Sequence, residues 1–140
     1  MDATLDPSLP APPLVSIRSR WIGRAVSALP ILFLLLDAAM KLARLPPVLE
    51  ASARLGLPER SAASIGLLEL ACIAVHLAPR TATLGAVLLT GFLGGAVAMH
   101  MRIGDPMATH TLFPVYMGAL VWVGLYLRDA RARALLGGRR

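Results

Sequence analysis

Four apolar stretches, separated by polar connectors, set the pattern of this chain. They cover about residues 22–42, 61–77, 81–101 and 111–127. A helix that crosses the hydrocarbon core of a bilayer needs about 20 mostly apolar residues. The third stretch meets that need most clearly, because no Asp, Glu, Lys or Arg falls between Thr81 and Met101. The first has a shorter uncharged centre, Ala25 to Leu36, so Arg24 must snorkel at one end while Asp37 and Lys41 lie near the other. Pro30 lies inside it and is expected to kink the helix. Pro114 falls in the first turn of the fourth stretch, where proline is tolerated. The pattern predicts an all-α fold, a bundle of four transmembrane helices.

The connectors divide the chain further. Residues 1–20 are Pro-rich and are expected to form a disordered tail, residues 21–129 the transmembrane domain, and residues 130–140 a basic tail. Residues 43–60 are polar, and within them 47–55 are expected to form a short amphipathic helix on the membrane surface. Gly56 and Pro58 then stop it. Residues 102–110 form a turn-rich loop around Gly104-Asp105-Pro106. A signal peptide is the rival reading of the first stretch, since arginines precede it. The long preceding tail and the absence of a cleavage pattern around Asp37-Ala38-Ala39-Met40-Lys41 argue for a retained helix.

Composition agrees with a membrane solvent. Hydrophobic residues make up 56% of the 140 and charged residues 16%, with mean hydropathy +0.68. A soluble domain this small has too much surface to hide so much apolar sequence. The net charge of +6 does not read as a nucleic-acid surface, because the arginines sit at the ends of the apolar runs and form no stripe interleaved with aromatics. They orient helices instead. With the N-terminus inside, nine Lys and Arg lie inside (Arg18, Arg20, Arg24, Arg80 and five after residue 127) against five outside. That count predicts a multi-pass protein with both termini cytoplasmic. The single cysteine, Cys72, rules out an internal disulfide and a dithiol relay. The chain has no nucleotide-binding loop, zinc motif or serine-nucleophile elbow.

Ionisable residues inside a bilayer are costly and face the bundle interior. Four helices with alternating directions bring Asp37, Glu69, His100 and His110 to the outer half, with Lys41, Arg102 and Asp105 beside them. Lys41 follows Asp37 by four residues, so the two can pair on one face. These seven residues are the candidate ligand-binding set. They can relay protons, bind a cation or hold a polar head group, or they can neutralise one another and lock the bundle, Glu69 finding a histidine or Arg102. Two histidines separated by a nine-residue loop lack ligand-motif spacing, so no metal site is expected. Glu69, Cys72 and His76 share one helical face at i, i+3 and i+7. His76 lies at the opposite level from His100, which argues against a bis-histidine haem. The third stretch carries Gly91 and Gly95 in a GxxxG, and Ala86, Thr90, Gly94 and Ala98 at every fourth position, a face suited to close helix packing within the chain or between chains.

The chain resembles the DoxX-like family of small bacterial membrane proteins over about residues 20–136. The resemblance is carried by the order and spacing of Asp37-Ala38-Ala39-Met40-Lys41-Leu42, Leu55-Gly56-Leu57-Pro58 and Ile65-Gly66-Leu67-Leu68-Glu69-Leu70. It continues through Leu84-Gly85-Ala86, Gly94-Gly95-Ala96-Val97-Ala98-Met99-His100, Gly104-Asp105-Pro106 and Leu125-Tyr126-Leu127-Arg128-Asp129. It implies a four-helix fold in the bacterial inner membrane. The wider grouping includes a quinone-reducing oxidoreductase subunit and components linked to redox stress, so by analogy a quinone or other lipophile would enter from lipid and meet Glu69 and His100. Three functions stay open. The first is a redox-associated subunit with such a ligand, the second a proton or small-solute pathway running towards His76. The third is a structural protein that docks a membrane partner or a second copy through Gly91 and Gly95.

Overall fold

The computed structural model describes residues 16–137. The expected disordered tail lies, over residues 1–15, outside the described residues. Helix α1 (Ile17–Leu42) begins earlier than the apolar pattern suggested, because the Ser16 hydroxyl accepts from the Ser19 amide at 3.1 Å and starts a helix through Arg18 and Arg20. It runs on through Pro30 as one helix. Helix α2 (Pro46–Arg54) starts on two prolines, whose missing amides cost nothing there. It ends before Gly56, whose φ of 69° suits glycine. Helices α3 (Ser61–Leu77), α4 (Ala82–Arg102) and α5 (Phe113–Arg128) follow, with a wide π turn, Met107–Thr111, leading into α5. Helix α6 (Ala130–Leu136) occupies the stretch read as a basic tail, its start capped by Asp129, which accepts from the Arg131 amide at 2.8 Å.

The described residues thus form six α-helices and no strand, where four helices and a surface connector were expected. Helix α1 packs between α3 and α5, and α4 closes the ring by packing on the same two. Ile31, Leu34, Ile73, Leu89, Val121 and Leu125 fill the centre. The outside of the ring is apolar as well. Leu29, Leu32 and Leu36 of α1, Leu67 and Leu68 of α3, Leu84 and Val87 of α4 and Val123 of α5 are exposed. Away from its ends and from Pro30, a helix satisfies its own backbone polar groups, so such a surface suits lipid. Helices α1 and α4 and the Met107–Arg128 stretch are long and apolar enough to cross a membrane, while α3 is apolar but shorter at 17 residues.

Close helix approach comes from glycines other than the expected ones. A Cβ added at Gly23 of α1 would lie 2.8 Å from the Gly124 carbonyl of α5. One added at Gly85 of α4 would overlap the backbone of His76 in α3. Gly91, Gly94 and Gly95 have nothing within 4 Å of such an atom. Among the described residues the GxxxG of α4 therefore meets no neighbouring helix, and its face is open. Overpacking a filled contact costs about 1–3 kcal/mol. Gly85→Ala is expected to lower stability by about that amount, and Gly95→Ala, which adds a methyl in open space inside a helix, to raise it by about 0.5–1 kcal/mol. Thermal unfolding of both variants in one detergent checks the contrast.

Candidate functional site

One helical turn of α1 places Asp37 and Lys41 on a single face. Across from them, Gly66 of α3 lets the two helices meet. A Cβ there would lie 2.9 Å from the Lys41 Cβ and 3.0 Å from the Ala38 carbonyl. One turn further along α3, Glu69 then comes within reach. The Lys41 ammonium donates to the Asp37 carboxylate and, at 2.8 Å, to Oε2 of Glu69. It also stands 5.5 Å from the ring centre of Phe92 on α4. Side-chain exposure falls from 35% at Asp37 through 17% at Lys41 to 0% at Glu69, so the group runs from an open rim into the core. One cation faces two carboxylates. The second Glu69 oxygen, Oε1, is buried and has no hydrogen-bond partner. A buried polar atom without a partner is uncommon and calls for a reason. As a carboxylate oxygen, Oε1 can accept from a hydroxyl or hold a proton.

A second cluster joins the ends of α2 and α4. The His100 Nδ1–H donates to Asp105 Oδ2 at 2.6 Å, and Arg54 donates to Oδ1 at 3.2 Å. Arg102 donates to the Leu55 carbonyl. The positive φ of Gly104, 73°, turns the chain so that Asp105 can face both partners. His110 is exposed on the π turn, its Nδ1 2.9 Å from the Thr109 hydroxyl and its ring in edge contact with His100 at 6.2 Å. The hydrogen bond from His100, helped by Arg54, holds the Asp105 carboxyl below its ordinary value of 3.8.

The seven expected residues thus fall into two groups. Asp37, Lys41 and Glu69 form one, and His100, Arg102, Asp105 and His110 gather around the α2–α4 clamp. Glu69 meets Lys41, not a histidine or Arg102. No hydrogen bond joins the groups among the described residues. Sequence reasoning missed Arg54 as the second partner of Asp105 and Phe92 as the ring beside Lys41. It also missed the bond between His76 and Arg128 at the other end of the molecule, 3.0 Å. The stripe of Glu69, Cys72 and His76 is buried along its length, as the spacing implied. Among the described residues no three His, Cys, Asp or Glu side chains gather to hold a metal ion.

Helices with lipid-like exteriors around an Asp–Lys–Glu group that ends on a buried glutamate define a membrane protein with an interior polar site. The chain belongs to the DoxX-like family, whose model matches residues 25–124. That stretch takes in Asp37, Lys41, Glu69 and the whole clamp. Comparison with curated proteins and with solved structures returned no match.

The clamp carries a pH signature. A carboxyl held below its ordinary value stabilises the fold above that value, and the stabilisation is lost as pH falls through the lower, folded one. Amide exchange of residues 103–105, corrected for intrinsic rates, should stay flat from pH 7 to about 5 and rise only below 3.8. A rise that begins above pH ~5 would contradict this assignment of the clamp to Asp105.

Proposed function

We propose that this protein is a redox-associated membrane subunit that binds a quinol, or a lipophile with a similar hydroxyl-bearing head, at Asp37, Lys41 and Glu69. The observation that carries the reading is the buried, unpartnered Oε1 of Glu69 beside a lysine already engaged. A hydroxyl donating to Oε1 would complete the group, and a bond to an ionised acceptor is about twice as strong as a neutral one. Lys41 offers a cation to the oxygen of the oxidised, carbonyl form. The partial exposure of Asp37 and Lys41 supports entry between α1 and α3.

In this reading all four helices of the ring cross the bacterial inner membrane, α3 being short because its ends lie near the interfaces. Both termini are cytoplasmic, in keeping with nine Lys and Arg on that side against five. A proton or solute pathway has less support. Between Glu69 and His76, about 10 Å apart along α3, the interior is Cys72 and Ile73 packed with Leu34 and Leu89. That stretch offers no polar relay.

The test is a titration of detergent-solubilised protein with a short-chain quinol and its quinone, together with mass spectrometry of lipophiles that co-purify. The wild type is expected to bind the quinol and to carry a native lipophile, and Glu69→Gln to bind about tenfold more weakly and to lose the carried molecule. Equal binding by both proteins, or no binding by either, contradicts the reading.

A further inference from the structure

At the end of the ring where the first turns of α1 meet α6, the helices leave a cavity of about 370 Å³. Arg20, Arg24, Arg128 and Arg131 line it, and Asp129 is its one carboxylate. None of the four guanidinium groups forms an ion pair among the described residues. Asp129 Oδ1 is engaged in capping α6. Four cations around one hollow repel each other unless an anion enters.

The floor of the cavity is built to hold one of these cations in place. His76 is fully buried, and its Nδ1–H donates to the Ala82 carbonyl at 2.9 Å. Its Nε2 is then an acceptor and takes a hydrogen bond from Arg128 at 3.0 Å. That bond uses one nitrogen of the Arg128 fork and leaves the other donors free. His76 is therefore a positioning residue, aiming Arg128 at the cavity. At the rim, the Arg24 guanidinium stands 5.3 Å from the ring centre of Trp21, an aromatic of the kind that sits at head-group level.

We propose that this cavity binds a phosphate-bearing anion. Planar guanidinium forks match phosphate oxygens two at a time. The cavity has the size of a small-molecule site, larger than a lone inorganic ion requires. Basic hollows between membrane helices hold anionic lipid head groups by the same chemistry. The phosphate belongs either to such a head group or to a free phosphate compound. All four arginines lie outside residues 25–124, so the flanks of this chain supply the cations of the site, and it is separate from the Asp37–Lys41–Glu69 group.

The test titrates the full chain, in a neutral detergent, with dioctanoyl phosphatidylglycerol and separately with sodium phosphate, read by native mass spectrometry. Arg24→Gln/Arg131→Gln removes two rim charges, and both side chains are exposed. Arg18→Gln/Arg80→Gln removes two equally exposed charges outside the cavity. The first pair is expected to weaken binding at least about tenfold, and the second to leave it within about twofold. Should the first pair lower the melting temperature, Arg20→Gln/Arg131→Gln serves in its place. Phosphatidylglycerol bound and not displaced by millimolar phosphate identifies a lipid head group. Displacement, or phosphate binding alone, identifies a soluble phosphate compound. Equal weakening by both pairs, no weakening by either, or no binding of either probe by the wild type overturns the proposal.

Discussion

The Lys41 ammonium, shared between Asp37 and Glu69, is the interaction on which the site and its helix packing depend. A carboxylate buried as completely as Glu69 costs several kcal/mol without a partner. No water in a bilayer core can make up for one. Lys41 reaches it from the neighbouring helix, so the same contact that neutralises Glu69 also joins α1 to α3. Asp37, one turn away, holds the lysine from the other side. The sharing leaves Oε1 of Glu69 as a buried acceptor without a hydrogen-bond partner.

The two ends of the ring are chemically different. One carries the Asp–Lys–Glu group and, near it, the clamp of Arg54, Asp105 and His100. The other carries a buried neutral histidine under four arginines. Between them lies a plug of Ile31, Leu34, Ile73, Leu89, Val121 and Leu125. The two polar regions are thus separated by an apolar layer, in keeping with the two sites proposed above.

Much of the fold was legible because apolar runs and helix spans coincide. The apolar run 61–77 is covered by α3, and α4 and α5 begin and end within two residues of their apolar runs. What escaped were helices that hydropathy does not mark. Arg18 and Arg20 read as an edge, yet arginine is a good helix former, and Ser16 supplies the cap. In α6 the alternation of Ala and Arg looked like a tail, although nothing in it opposes a helix. Within the site, the Asp37–Lys41 pair was legible because it is local. The partner of Glu69 was not, because it depends on how α1 and α3 are rotated against each other, which Gly66 decides. The arginine cavity escaped for the same reason, since Arg24, His76 and Arg131 come from three helices. The GxxxG of α4 meets no neighbour among the described residues, so of the two packings its small residues allow, the one between chains is left open.

The central claim is that Lys41 and Glu69 act as one unit across two helices. A double-mutant cycle with Lys41→Met, Glu69→Gln and the combined variant, read as unfolding free energy in one detergent, tests it directly. The account predicts a coupling of about 1–3 kcal/mol, with the combined variant more stable than the sum of the single losses allows. Additivity within about 0.5 kcal/mol would contradict it and would leave the two residues as independent neighbours.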